Sequence, residues 1–303
     1  MKRIAMGSWA YAIGPYESDP IDFDTVCREV KALGFDGVEL GAFSPHPNPN
    51  DMPEKSQRDE LLGKMQDAGL EFAGMGADLW GQKLLNTDDP APYVAEFTKA
   101  ADFCADLGMH TLRIDTVQAP TIFEEIDYAT ALRRLAKTWK HCCDVAADRG
   151  LLVTWEFEPG FAFNKPSEIV AVLDAVDKPN FGVLFDTCHA QMVAAVGARQ
   201  PAPKETLEGG PLALIRMLHG RINHLHLIDS DNTCHRDAQG NDETSAHVPF
   251  GHGVIDFDQM MPALAAEDLP DDWWTIDLCF WPDAWAATAE CREFVDGLNE
   301  KYG

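Results

Sequence analysis

The chain has 303 residues, of which 46% are hydrophobic, and its formal net charge is −26, from 50 acidic and 24 basic side chains. That length suits a single α/β barrel, and the apolar content can fill a large core. A surface this acidic repels nucleic-acid phosphates and anionic membranes, so we expect neither a nucleic-acid nor a membrane partner.

The first 14 residues, MKRIAMGSWAYAIG, are expected to form a strand and not a secretory signal. They have no sustained apolar region and no small-residue cleavage site. No apolar run approaches the roughly 20 residues of a membrane span. The eight cysteines include no CxxC pair and fall mostly in helical patterns, which is typical of reduced thiols. We therefore expect a cytoplasmic protein.

One phrase recurs along the chain: an amphipathic helix, a glycine and a short apolar strand. Glycine directly after a helix supplies the left-handed conformation that ends it. The phrase occurs as KALGFDGVEL, QDAGLEFAGM, ADLGMHTLRI, DRGLLVTWEF and LHGRINHLHL. The one wide gap contains VDKPNFGVLF, where Pro179 ends the helix instead.

Eight strands are predicted in chain order, over 4–9, 37–40, 70–75, 111–115, 151–158, 182–186, 222–228 and 273–278. Helices are predicted over 22–33, 54–68, 91–107, 127–149, 166–177, 204–219, 258–266 and 283–299. Strict alternation implies parallel strands with right-handed crossovers, and eight units predict a (β/α)8 TIM barrel as a single domain over 1–303. A doubly wound sheet is the alternative, but no glycine-rich dinucleotide fingerprint follows the first strand.

Polar side chains stand at the last inward positions of these strands. They are Glu39 on the second, Asp115 on the fourth, Glu158 on the fifth, Asp186 on the sixth, His226 on the seventh and Asp277 on the eighth. One layer deeper lie Arg113, Glu156 and His224. The last four strands therefore aim a Glu, an Asp, a His and an Asp at one point of the barrel mouth, where barrel enzymes carry their chemistry.

Three carboxylates and one imidazole at one point repel one another unless a cation lies between them. We assign the deeper Arg113 to Glu156 or Glu39, which leaves a divalent metal for the remaining charge. Oxygen-rich ligands with one imidazole suit Mn²⁺ first, with Mg²⁺, Co²⁺ and Zn²⁺ as further candidates. Taken singly, each residue could instead be a loop cap, a salt-bridge partner or a packed core side chain, and Glu39 and Asp115 could be hydrogen-bonding scaffold.

These motifs together resemble the xylose isomerase-like TIM-barrel superfamily, which includes sugar phosphate isomerases and epimerases and AP endonuclease family 2. The resemblance is carried by LGFDGVEL, Glu158-Pro159, Asp186 with His189, the His-x-His of the seventh strand, and VPFGHGVIDF at 248–257. It implies one divalent metal held by Glu158, Asp186, His226 and Asp277. It further implies proton exchange by Glu158 and Asp277 through an enediol of a ketose, with His189 contacting substrate hydroxyls.

Further candidate substrate contacts are Glu39, Asp115, His252 and Trp9. Trp9 belongs to a set of aromatic residues near the predicted βα loops that suit a sugar ring, with Trp80, Phe161, Phe163, Phe280 and Trp281. The polar insert 229–250 adds Cys234, His235 and His247, which are either site residues or solvated loop residues.

The leading hypothesis is a metal-dependent isomerase or epimerase of an unphosphorylated carbohydrate. Asp277 departs from the epimerase pattern, in which a longer Glu stands at this position. A shorter carboxylate can bind the metal without reaching the substrate carbon. The alternative is therefore a lyase that eliminates from a 3-keto sugar or C-glycoside, with His189 or a loop histidine as the base.

Two other classes are less favoured. An endonuclease IV-type phosphodiesterase needs more histidines on early strands and a basic binding face, and this chain has neither. A non-catalytic sugar-binding barrel has no need to concentrate carboxylates around a metal. A homo-oligomer, either a dimer or a tetramer, stays open.

Overall fold

A computed structural model of the protein describes residues 1–237 and 239–303. Eight parallel strands close into a barrel, so the predicted (β/α)8 fold is confirmed. Seven of them come in chain order: β1 (Arg3–Gly7), β2 (Gly37–Gly41), β3 (Glu71–Gly76), β4 (Thr111–Ile114), β5 (Leu152–Glu156), β6 (Phe181–Asp186) and β7 (Ile222–Leu227). An antiparallel hairpin, β8 (Asp229–Arg236) and β9 (Asp242–Val248), forms the polar insert, and β10 (Trp273–Ile276) closes the barrel between β7 and β1.

The helices surround the barrel. They are α1 (Phe23–Ala32), α2 (Lys55–Ala68), α3 (Ala91–Asp106), α4 (Tyr128–Ala147), α5 (Pro166–Val176), α6 (Thr187–Gln191), α7 (Gly210–Met217), α8 (Phe257–Ala265) and α9 (Ala284–Tyr302). The helix predicted over 204–219 begins only at Gly210, because Pro211 is tolerated in the first turn and not in the interior. Within the described ranges, none of these helices is long and apolar enough to span a membrane.

The recurring glycines end their helices as predicted. Gly34, Gly69, Gly108, Gly150 and Gly220 have φ of 83°, 67°, 71°, 71° and 72°. A residue with a Cβ is strained in that left-handed region, so glycine is favoured there. Each of these glycines ends its helix and turns the chain into the next strand.

The alternation of β5 decides which side chains enter the barrel. Val153 and Trp155 are fully buried on the outer face, where Trp155 packs against Trp139 of α4 with ring centroids 5.6 Å apart. Since successive side chains of a strand point to opposite faces, Thr154 and Glu156 point into the barrel. The aromatic packing outside therefore fixes a carboxylate inside.

The hairpin is anchored at its base by Asp229. The buried carboxylate accepts hydrogen bonds from the backbone N–H groups of Gly251, Gly253 and Ile255, at 3.0, 3.0 and 3.1 Å. A Cβ at Gly253 would lie 2.3 Å from Asp229 Oδ1, so the backbone approaches this closely only at glycine. The Gly-His-Gly turn is thus a structural clamp that holds the hairpin over the barrel mouth.

Candidate active site and metal centre

A cavity of about 1070 Å³ opens at the carboxyl ends of the barrel strands, beneath the hairpin. Five of the predicted site residues line it: Trp9, Asp115, Glu158, His189 and Asp277. Glu156, Arg113 and His247 line it as well. Four aromatic residues of the predicted apolar wall also lie there: Trp9, Trp80, Phe161 and Phe280.

Four buried residues converge on the floor of this cavity. Ligand atoms of Glu156, Asp186, His226 and Asp277 all lie within 4.8 Å of one another. His226 Nδ1 is 3.3 Å from Glu156 Oε1 and 3.5 Å from Asp277 Oδ2. We call these residues the four-residue group.

The atoms that face one another in this group lack partners. Among residues 1–237 and 239–303, Glu156 Oε1, Asp186 Oδ2 and His226 Nδ1 are buried and accept or donate no hydrogen bond. Buried polar atoms are almost always paired, because an unpaired one costs the full free energy of its desolvation. Three carboxylates and one imidazole around one point fit a divalent metal with oxygen and nitrogen ligands.

The fifth strand differs from its prediction. It was expected to extend to residue 158, but β5 ends at Glu156, and the chain then leaves the barrel wall. Glu156 therefore occupies the place in the group that was predicted for Glu158. Glu158 lies further toward the mouth, where it forms a separate cluster with Glu156 and His189.

Arg113 balances Glu156, one of the two partners expected for it. Its Nη2 lies 2.6 Å from Glu156 Oε2, 3.5 Å from Glu158 Oε1 and 3.6 Å from Asp115 Oδ2. Burial alone would raise the pKa of Glu156, but Arg113 and His226 hold it below its ordinary value. Glu156 is therefore an anion in this site.

Glu158 is held differently. Burial and the charge of Glu156 raise its pKa to about 8, against the opposing effect of Arg113. Its Oε2 accepts a hydrogen bond from the hydroxyl of Thr244 on β9. Burial also raises the pKa of Asp115 to about 6, although Arg113 opposes the rise. Of Glu156 and Glu158, Glu158 is thus the one that changes its protonation near neutral pH.

His189 lies beside Glu158 as a neutral imidazole. Burial and the nearby His247 lower the pKa of His189 to about 3. Its Nδ1 is 2.8 Å from Ser245 Oγ on β9, and its Nε2 is 3.9 Å from Glu158 Oε2. The backbone N–H of His189 donates to Asp186 Oδ1 at 2.7 Å, which begins the unpredicted helix α6.

Sequence reasoning left His247 undecided, and the hairpin carries it into the site. His247 Nδ1 lies 3.4 Å from Asp277 Oδ1, and its Nε2 lies 3.8 Å from Asp186 Oδ1. Burial would lower the pKa of His247, but Asp277 and Asp186 raise it to about 9. The position of His247 depends on the β8–β9 pairing, which no local pattern in 229–250 specifies.

The other two residues of the insert that drew notice lie away from the four-residue group. His235 stacks on Phe280 with ring centroids 4.3 Å apart, at the rim of the cavity. Cys234 is partly buried in the hairpin.

Asp277 is held firmly by its surroundings. Trp9 Nε1–H and the backbone N–H of Cys279 both donate to Asp277 Oδ1, each at 2.8 Å. The Trp9 ring packs against the imidazole of His226, with centroids 5.3 Å apart. Trp9 therefore contacts two members of the four-residue group as well as the cavity.

Glu39 does not reach the cavity that it was expected to line. It is 1% exposed and lies below the four-residue group. Its carboxylate is within hydrogen-bond distance of His226 Nε2 at 3.1 Å and His224 Nε2 at 2.8 Å, and it accepts from Thr275 Oγ1 at 2.6 Å. Strand alternation gave its inward direction correctly but not its depth.

His252 also lies outside the cavity. It is exposed on the Gly-His-Gly turn, with its ring 6.3 Å from that of Trp281. Phe163, another member of the expected aromatic wall, is buried against Phe123 and Tyr128. The cavity is therefore not lined by His252, Trp281 or Phe163.

Residues 27–293 match the family model described as xylose isomerase-like TIM barrel. The chain belongs to this family. It is 23% identical over 275 residues to inosose dehydratase of Bacillus thuringiensis (strain Al Hakam), which covers 84% of this chain and 81% of that protein. The resemblance inferred from the motifs is thereby confirmed.

Solved structures of the same fold bear other names. A D-tagatose 3-epimerase-like protein superposes with a TM-score of 0.71 at 16% identity, covering 100% of both chains. An IOLI protein with a bound zinc atom superposes with a TM-score of 0.70 at 17% identity, covering 100% of this chain and 99% of that one. The names of these proteins support an enzyme and are compatible with both a lyase and an epimerase.

Proposed function

We propose that the chain is a divalent-metal-dependent lyase that acts on a keto sugar or keto-cyclitol. It would remove the proton next to the carbonyl and expel a hydroxyl or glycosyl substituent from the following carbon. The single observation that carries this choice over epimerisation is the state of Asp277. Its Oδ1 already accepts two hydrogen bonds, and its Oδ2 faces His226 Nδ1 inside the four-residue group at 3.5 Å.

An epimerase of this kind needs a proton-accepting group on each face of the substrate. Burial would raise the pKa of Asp277, but His247 and His226 hold it well below its ordinary value, so this short carboxylate is a weak base. Proton-transfer groups remain on the side of Glu158 and His189. One base with one acid is enough for elimination, so the geometry supports a lyase.

The residues proposed to hold the metal are Glu156, Asp186, His226 and Asp277. A bound divalent ion supplies a Lewis acid that polarises a carbonyl and lowers the pKa of the neighbouring C–H. Mn²⁺ is our first choice for this ligand set, and the zinc in the IOLI protein supports Zn²⁺ as the alternative.

The remaining chemistry belongs to side chains around the cavity. Glu158 accepts the proton from carbon, since it lies outside the four-residue group and its pKa of about 8 makes its carboxylate a stronger base than that of Asp115, whose pKa is about 6. His247 donates a proton to the departing oxygen, so a β-hydroxy ketone gives an enone and water. His189 is neutral and faces Glu158 with Nε2, in a position to donate to a substrate hydroxyl. The wall against which a ring can pack is lined by Trp9, Phe161 and the exposed Trp80.

The name of the Bacillus relative supports both the proposed reaction and the proposed substrate class. That relative is called inosose dehydratase, and the dehydration of an inosose is an elimination on a keto-cyclitol.

The second candidate is an isomerase or epimerase with an enediol intermediate. It is favoured by the D-tagatose 3-epimerase-like structure and by the position of Asp277 in the cavity wall.

The two candidates differ in their products. Metal-free protein is reloaded with Mn²⁺ or Zn²⁺ and incubated in D2O with an inosose, a ketohexose and a 3-keto glycoside. We expect an enone that absorbs in the ultraviolet, formed with loss of water or aglycone, and its formation should stop on chelation. Solvent deuterium in an epimeric ketose without any enone would favour the isomerase and contradict the lyase.

A further inference from the structure

A continuous line of hydrogen bonds runs down the barrel axis, away from the cavity. It starts at His226, where Nε2 lies 3.1 Å from Glu39 Oε1. It continues from Glu39 Oε2 to His224 Nε2 at 2.8 Å, and from His224 Nδ1 to Asp271 Oδ2 at 2.9 Å. Asp271 lies two residues before the start of β10, so the line ends at the face of the barrel opposite to the cavity.

These groups are shielded from water over the whole length. His226 and His224 are 0% exposed, Glu39 is 1% exposed, and the side chain of Asp271 is 7% exposed. Hydrogen bonds of this kind are strong in a buried environment, and an unpaired member is costly. The proposed metal centre uses His226 only, so the other three residues have no part in the chemistry described above.

We propose that Asp271 is a positioning residue that sets the tautomer and orientation of His226 through His224 and Glu39, and so tunes metal affinity from the far side of the barrel. This inference rests on the proposed metal centre. It extends that centre from four residues at the cavity floor to a line that crosses the protein.

The direction of each hydrogen bond follows from the acceptors. Both nitrogens of His224 face carboxylate oxygens, so both donate, and the ring is a cation between the anions of Asp271 and Glu39. Glu39 has only acceptor atoms, so His226 Nε2 must carry its proton toward it. Since Nε2 keeps its proton, Nδ1 is the nitrogen of His226 that can offer a lone pair to a metal, and it faces Glu156 and Asp277.

Removing the charge of Asp271 acts on each step in turn. An asparagine at 271 keeps the shape but offers the Nδ1–H of His224 no carboxylate acceptor, so the ring is held less firmly. The hydrogen bond from His224 Nε2 to Glu39 then loosens, and Glu39 positions the Nε2–H of His226 less well. Loss of an outer hydrogen-bond partner of a metal-ligating histidine lowers metal affinity about 10- to 100-fold.

The neighbouring residue offers a matched control. The side chain of Asp272 is 51% exposed and pairs with Arg3 at 2.6 Å on the surface. Asp271→Asn and Asp272→Asn therefore make the same change of charge, one residue apart, and only the first alters the buried line.

The experiment titrates the full-length, metal-free protein with Zn²⁺ or Mn²⁺ against a chromophoric chelator. We expect Asp271→Asn to bind about 10-fold more weakly than the wild type, Asp272→Asn to bind within about 2-fold, and Asp271→Glu to recover part of the loss. Equal affinity of Asp271→Asn and the wild type, or equal losses in both asparagine variants, would overturn the inference.

A second measurement needs no variant and stands even if Asp271→Asn fails to fold. Nitrogen-15 NMR of the zinc-loaded wild type reports which imidazole nitrogens carry protons. We expect a proton on Nε2 of His226 and protons on both nitrogens of His224. A proton on Nδ1 of His226 would overturn the inference while metal binding stood, whereas a wild type that binds neither metal would overturn the metal centre itself.

Discussion

Glu156 and Glu158 provide the sharpest test of the site, because they are two residues apart and have different proposed roles. We compare Glu156→Gln with Glu158→Gln, each of which removes one negative charge at nearly constant volume. Glu156 contributes the unpaired Oε1 to the four-residue group, whereas Glu158 lies outside it. Glu156→Gln should therefore mainly lower metal affinity, and Glu158→Gln should mainly lower turnover.

The magnitudes follow from what each carboxylate touches. Loss of an outer partner of a metal ligand costs 10- to 100-fold in affinity, so loss of the ligand Glu156 should cost at least about 100-fold, or about 2.7 kcal/mol. Glu156→Gln also removes the 2.6 Å ion pair with Arg113, which should lower the free energy of unfolding by about 3 kcal/mol. Glu158 lies 3.5 Å from Arg113, so its substitution should cost less stability.

Glu158→Gln should instead lower turnover. Removing a general base costs about 10²- to 10⁴-fold in kcat, while metal affinity should stay within about 3-fold of the wild type. Affinity is measured by chelator competition, stability by urea unfolding, and turnover by enone formation. If Glu158→Gln lost the metal and Glu156→Gln kept it, the roles assigned to the two glutamates would be reversed.

Three further outcomes are expected. In the metal-free protein, burial raises the pKa of Asp186 to about 7 and of Glu158 to about 8, so the contribution of these two carboxyl groups to stability is fully present below pH 4 and is lost as pH rises through 7 and 8. The rise in Tm on adding Zn²⁺ should accordingly be larger at pH 8 than at pH 6, and equal shifts would contradict this. Asp229→Asn should lower the free energy of unfolding by about 3 kcal/mol and speed trypsin cleavage in the hairpin, with Asp231→Asn on the exposed side as the control. Trp9→Phe keeps the ring but removes the donor to Asp277, and we expect about 10-fold weaker metal binding by chelator competition, whereas unchanged affinity would leave Trp9 as cavity wall alone.

Much of the fold was predictable because local rules and global topology agree in this chain. Left-handed glycines end five helices, and strict alternation of helix and strand leaves few topologies other than a parallel barrel. The ends of β6, β7 and β10 were also predictable. Each of these strands offers one inward carboxylate or imidazole near its last residue, namely Asp186, His226 and Asp277.

The fifth strand shows where local pattern stops being enough. Glu156 and Glu158 share one face, so alternation gives their direction and not their height along the barrel axis. The height depends on where the chain leaves the barrel wall, and β5 ends at Glu156. Glu39 illustrates the same limit, since it points inward as predicted but lies below the cavity.

His247 could not be placed from sequence for a different reason. Its approach to Asp277 depends on the pairing of β8 with β9 and on the clamp that Asp229 forms with the Gly-His-Gly turn. The clamp joins residues 22 to 26 positions apart, across a polar segment with no apolar periodicity. The Gly-His-Gly turn, whose His252 was a candidate substrate contact, instead anchors the hairpin that carries His247.

The most direct test of the metal centre is anomalous X-ray scattering from crystals of the protein loaded with Mn²⁺. We predict one anomalous peak on the floor of the cavity, among Glu156 Oε1, Asp186 Oδ2, His226 Nδ1 and Asp277 Oδ2. A peak bound by Glu158 without Glu156, or no peak at these residues in crystals that contain the metal, would contradict it.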